Sequence, residues 1–133
     1  MGIEVVEQYE RAWADKNVAT MPGLFVDGGY YRGAGTDEIR GDGITEYASL
    51  YTQSFPDYQY EWAVLAASGD AVAVEWLFKG TMTGELAGIA PSGGSCSVRG
   101  AHLIRLSGDK IASVEAFWDN LELYRQLGIK LDA

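Results

Sequence analysis

One cysteine is too few for a disulfide, and Cys96, set in an alternating apolar and polar stretch, reads as an inert strand thiol with no metal cluster around it. Basic residues are scarce as well: ten Lys and Arg stand against nineteen Asp and Glu, a formal net charge of -9. That balance offers no basic face to nucleic acid or to an anionic membrane, and neither is expected as a partner. No apolar run approaches the length of a membrane span and no basic-then-apolar leader opens the chain, so the expectation is a reduced, cytoplasmic protein. Repeats, low-complexity stretches and linkers are missing too. The 133 residues are therefore expected to form one domain over 1–133, burying roughly two-thirds of the unfolded surface.

What the chain does have is aromatic side chains, with four Trp, eight Tyr and four Phe, enough for some to line a cavity rather than fill a core. Gly2 to Lys16 places Val5, Val6, Tyr9, Ala12 and Trp13 at helical spacing, with Glu4, Glu7, Glu10 and Arg11 opposite. Asn17 can cap a short second helix that Pro22-Gly23 ends, and Phe25 to Arg32 reads as a short strand. Asp42 can cap a third helix with Ile44, Tyr47, Ala48, Tyr51 and Phe55 on its apolar face, stopped by Pro56. Strand patterns follow at Tyr58 to Ala67, Ala71 to Met82, Ser95 to Leu106 and Lys110 to Trp118. Ser68-Gly69-Asp70 and Ser107-Gly108-Asp109 are tight-turn signals between them. Helices first and a long antiparallel meander afterwards is an α+β layout, with helices covering one face of a curved sheet.

Alternate strand residues face opposite sides. Val72, Val74, Trp76 and Phe78 share one apolar face; Val98, Gly100, His102, Ile104 and Leu106 match it, followed by Ala112, Val114, Ala116 and Trp118. This is the expected concave face beneath the helices. The other face, with Glu75, Leu77, Lys79, Arg99, Leu103, Arg105, Ser113, Glu115 and Phe117, is mixed and suits water or a second subunit, so a homodimer through the sheet is expected.

Four phrases in order, Gly80-Thr81-Met82-Thr83-Gly84, Gly88-Ile89-Ala90-Pro91, His102-Leu103-Ile104-Arg105 and Arg125-Gln126-Leu127-Gly128, resemble the SnoaL-like polyketide cyclases of the NTF2-like, ketosteroid-isomerase-like superfamily. The resemblance covers nearly the whole chain. It implies a cone-shaped, cystatin-like curved antiparallel sheet wrapped over N-terminal helices, with an apolar interior pocket for a small-molecule ligand. It also implies aldol or isomerisation chemistry on a polyketide-, terpenoid- or steroid-like carbonyl compound, with no metal and no organic cofactor. His102 falls where the cyclases have a pocket histidine and the isomerases an oxyanion-hole acid, and Tyr9 resembles the tyrosine completing that hole. The proton-moving carboxylate is absent from both family positions, which here are Ala116 and Gly33.

Each candidate has a structural reading beside its chemical one. His102 is a general base and donor, or a satisfied core residue. Tyr9 completes an oxyanion hole, or packs helix on sheet. Asp119 is a substitute acid, or the cap in Asp119-Asn120-Leu121-Glu122, where backbone N–H groups would occupy its carboxylate. Asp37 and Glu38, in the loop near the missing base, are acids able to swing over the cavity mouth, or, in the preferred reading, solvated loop acids. Trp13, Tyr47, Tyr51, Val74, Trp76, Val98, Val114 and Trp118 are the expected ligand-binding wall. The Gly84 to Gly94 stretch lacks the lysine and helix of a phosphate loop and reads as a flap or hairpin loop. Two functions follow: a cyclase or isomerase working through His102 and Tyr9, or a binding protein that kept the pocket and lost the base. Epoxide opening needs a buried Asp–Arg pair, and Arg99 and Arg105 face away from the pocket. A carboxylate within hydrogen-bond reach of His102 would favour the enzyme.

Overall fold

A computed structural model describes residues 2–130. Helix α1, Ile3–Ala14, starts after Gly2 in a left-handed conformation and buries Val5, Val6, Tyr9, Ala12 and Trp13, as their spacing predicts. Glu10 is buried with them. Single 3-10 turns at Val18–Thr20 and Pro22–Leu24 lead into strand β1, Phe25–Arg32. Asn17 stands before the first of these turns without a side-chain cap bond. A two-residue strand β2, Ile39–Arg40, turns back on β1 before helix α2, Asp42–Ser54. Asp42 is the first residue of α2 rather than its cap; Gly41 takes that place with no side-chain bond.

Strands β3 (Gln59–Ser68), β4 (Ala71–Thr81), β5 (Ser95–Ser107) and β6 (Lys110–Trp118) form the expected antiparallel meander, and helix α3, Asn120–Leu127, ends the described fold. Two-residue Gly-Asp turns close both hairpins, with Gly69 and Gly108 at positive φ, where a two-residue hairpin turn needs glycine. The sheet order is β2-β1-β6-β5-β4-β3, and β1 runs parallel to β6, so this α+β sheet is mixed and not wholly antiparallel. No helix is long and apolar enough to cross a membrane among the described residues.

Strand parity holds through β4 and most of β5. Val74 pairs with His102, Trp76 with Gly100 and Phe78 with Val98, all on the core side. On β6 a register shift opposite Arg105 and Leu106 changes one expectation. Ala116 and Val114 stay opposite His102 and Ile104, but Ile111 pairs with Leu106 and is fully buried, so it and not Ala112 continues the core face. The Gly84 to Gly94 stretch is tied down. Thr83 and Gly84 donate backbone N–H groups to the Ser54 carbonyl, each at 3.0 Å, and Leu86 is buried. A side chain at position 84 would meet the Gln53 carbonyl at 2.2 Å, so glycine permits that approach.

Candidate functional site

Glu10, on α1, lies four residues after Val6 and three before Trp13, one turn either way on the same helix face. That face packs against the sheet, toward Tyr60 on β3 and His102 on β5, and the Glu10 carboxylate is fully buried. Its Oε2 lies 2.6 Å from His102 Nδ1, and its Oε1 accepts from the Tyr60 hydroxyl at 2.6 Å. A buried carboxylate is tolerable only when its oxygens are matched in this way. With Glu10 ionised, Nδ1 carries the proton and donates it, leaving Nε2 as the accepting nitrogen. A carboxylate orienting an imidazole so that its far nitrogen can take a proton is the arrangement a general base requires.

His102 borders a cavity whose empty space, its mouth included, is about 480 Å³. Trp13, Tyr31 and Tyr60 line it from α1, β1 and β3; Tyr47 and Tyr51 from α2; Trp76 and Phe78 from β4. Val98, Trp118 and Leu123 complete the lining. Tyr47 and Tyr51 face each other with hydroxyls 3.2 Å apart, and the Tyr31 ring centre is 5.0 Å from that of Tyr47. Burial raises the pKa of Tyr31, Tyr47, Tyr51 and Tyr60 from that of an ordinary phenol, so these groups keep their protons and remain donors at neutral pH. Trp76 lies flat on Gly100, where an added Cβ would meet its ring at 2.2 Å.

Trp13, Tyr47, Tyr51, Trp76, Val98 and Trp118 of the expected wall line the cavity together with His102. Val74 and Val114 do not: both are fully buried in the core, outside the lining. Tyr9 is also fully buried and outside the lining; its ring packs against His102 at 5.8 Å and its hydroxyl has no hydrogen-bond partner. Asp119 is exposed and accepts the Glu122 backbone N–H at 2.9 Å, the capping geometry, so the fold does not bring it to His102. Asp37 and Glu38 are exposed, and Glu38 pairs with Arg40. Ala116 is buried directly across from His102, and a side chain at Gly33 would crowd the Tyr31 hydroxyl and the Trp118 ring. The buried carboxylate beside His102 stands on α1, at Glu10. Glu10 and the lining residues Tyr31, Tyr60, Phe78 and Leu123 are those that sequence reasoning did not place at the site, and the one signal for Glu10 was its position between Val6 and Trp13. No cluster of three or more His, Cys, Asp or Glu suited to a metal occurs among the described residues.

The family model for SnoaL-like polyketide cyclases matches residues 3–127. No curated protein matches the chain. Among solved structures, a candidate SnoaL-like polyketide cyclase from Jannaschia sp. CCS1 is 17% identical with a TM-score of 0.85, over 98% of this chain and 93% of that one. IdmH from Streptomyces antibioticus, a candidate polyketide cyclase, is 19% identical with a TM-score of 0.79, over 97% of this chain and 99% of its own. A ketosteroid isomerase-like-fold protein from Catenulispora acidiphila, solved with trimethylamine, is 21% identical with a TM-score of 0.78, over 96% and 94%. At these identities the likeness concerns the fold.

Proposed function

The chain belongs to the SnoaL-like polyketide cyclase family, and from that premise we propose that it is a proton-transfer enzyme, a cyclase or isomerase of an apolar carbonyl compound. The observation that carries this reading is the 2.6 Å contact between Glu10 Oε2 and His102 Nδ1 at the cavity wall. In the proposed reaction His102 Nε2 removes a proton from the carbon beside the substrate carbonyl. The C–H electron pair passes into the enolate, and Glu10 stabilises the imidazolium that forms. Tyrosine hydroxyls of the cavity, kept protonated by burial, donate to the enolate oxygen. In ring closure the enolate carbon bonds to a second carbonyl carbon, and the imidazolium returns its proton to the new alkoxide. In isomerisation the proton returns to another carbon of the same conjugated system. Tyr9 serves from behind, packed against the imidazole.

The test is exchange of the carbon-bound protons of α-tetralone in deuterium oxide, followed by NMR. The wild type should exceed the buffer rate. His102→Ala and Glu10→Gln, checked for folding by circular dichroism, should each lose about 10²- to 10⁴-fold of that excess. Exchange unchanged in His102→Ala would overturn the assignment. Saturable binding with no exchange above buffer would support a second reading, a binding protein, which the alanine at 116 and glycine at 33 favour. The proposal extends to a homodimer through the outer sheet face, where Phe117 is exposed and Leu77 and Leu103 are half-buried.

A further inference from the structure

Tyr60 stands at a junction between the cavity wall and the buried carboxylate. Its ring borders the cavity, and the Trp76 and Trp13 rings lie against it at 6.0 Å and 6.2 Å, inclined by 27° and 30°. Two large, nearly parallel neighbours hold the ring, and with it the direction of the hydroxyl. That hydroxyl donates to Glu10 Oε1 at 2.6 Å. Desolvation, and then the Glu10 charge, hold the phenol well above its ordinary pKa, so it keeps its proton and stays a donor. The other carboxylate oxygen, Oε2, lies 2.6 Å from His102 Nδ1. Tyr60 is on β3 and His102 on β5, with β4 between them, so one carboxylate bridges two strands that are not neighbours.

We infer that Tyr60 is a positioning residue: by holding Oε1 it aims Oε2 at His102 Nδ1, which fixes the imidazole with Nε2 free to accept a proton. The proton-accepting role of Nε2 rests on the proposed function; the fixing of carboxylate and ring does not. A carboxylate turns easily about its last torsion, so one donor leaves its plane open and two donors from different strands define it. A neutral imidazole carries its proton on either nitrogen, and the acceptor facing Nδ1 decides which. Tyr9 on α1, Tyr31 on β1 and Trp76 on β4 meet His102 as neutral rings, so Glu10 is the acceptor that sets the tautomer. Loosening the carboxylate lets the proton move to Nε2, the nitrogen that must be bare in a base. Tyr60 is thereby removed from another role. Its single proton is committed to Glu10, so the enolate oxygen falls to Tyr31, Tyr47 or Tyr51.

His102 is the sole histidine of the chain, so isotope-labelled histidine yields one pair of ring-nitrogen signals in NMR. With the ring neutral, the wild type should show a protonated Nδ1 and a bare Nε2. In Tyr60→Phe, which keeps the ring and removes the hydroxyl, the two signals should move toward each other as the tautomers mix. The dissociation constant of α-tetralone should stay within about twofold, while its proton exchange at saturation falls about 10- to 100-fold, the worth of a hydrogen bond to a charged group. A purely structural role would instead weaken folding or binding and leave the tautomer alone. Should Tyr60→Phe not fold, fluorotyrosine placed at position 60 keeps the packing and donates more strongly, and the Nδ1 proton resonance should move upfield as Oε2 loses charge. Ring signals unchanged in folded Tyr60→Phe, or a proton resonance unmoved by fluorotyrosine, overturn the inference whether or not the wild type exchanges protons. Mixed tautomers in Tyr60→Phe, together with wild-type exchange no faster than buffer, overturn the proposed function and support the positioning role.

Discussion

Glu10 shows how much one side chain can change the reading of a site. On a helix whose apolar arc runs through Val6, Tyr9 and Trp13, position 10 sits inside the arc by geometry, yet its residue type groups it with Glu4 and Glu7 on the polar side. Only a partner across the core can make a carboxylate tolerable there, and that partner, His102, is 92 residues away in the chain. Replacing Glu10 with Ala leaves the His102 and Tyr60 donors unmatched and opens a void, so a loss of about 3–5 kcal/mol is expected in urea unfolding. Glu10→Gln, which keeps the shape and one acceptor, should lose clearly less. Gly100 is a second residue whose role is contact and not chemistry. Gly100→Ala forces Trp76 off the sheet, and a loss of about 1–3 kcal/mol, with changed tryptophan fluorescence, is expected.

Among the elements, the hairpins were legible because a Gly-Asp turn between alternating runs admits few structures. The shift opposite Arg105 and Leu106 was not, because an extra residue in one strand leaves the alternation of its neighbours intact and shows only when two strands are laid together. The α3 cap was legible as well. Asp119→Ala should cost about 1 kcal/mol in thermal unfolding and leave proton exchange of α-tetralone unchanged. The same helix has an acid-sensitive pair. The Arg125 guanidinium, and then Gln126, hold the Glu122 carboxyl down at about 2, against 4.5 for the free group. The folded state therefore gains from this pair above pH 4.5 and loses the gain as pH falls from 4.5 toward 2. Because the pair lies at the surface, with Arg125 exposed and Glu122 half-buried, the effect is small, visible as fraying of α3 by NMR in that window.

At the scale of the molecule, the buried tyrosines make the fold sensitive to base. Tyr9, Tyr31, Tyr51 and Tyr60 are held well above the ordinary phenol value of 10.0, chiefly by desolvation. The folded state keeps protons that the unfolded chain would release, so stability is full below pH 10 and declines as pH rises above it. Alkaline titration followed by ultraviolet absorbance should show a late, cooperative phase above pH 10 coincident with loss of circular dichroism. Smooth titration of every tyrosine near pH 10 in the folded protein would contradict the burial described. The topology also has a feature that local pattern cannot reveal: β1 joins the sheet parallel to β6, across more than eighty intervening residues, as in Tyr31 beside Val114.

Residue order alone determined the α+β layout, the strand parity of β4 and β5, the turn positions, the α3 cap and the resemblance to the SnoaL-like cyclases. These depend on neighbours a few residues apart, whose spacing sets which side each chain atom faces. Tertiary structure alone decided that Glu10 meets His102, that Tyr60 holds the other carboxylate oxygen, that Asp119 stays outside, and that Trp76 lies on Gly100 with its N–H unmatched. Each of those contacts joins residues on different elements, and the preference of a buried polar group for a partner acts only once packing has brought the two together.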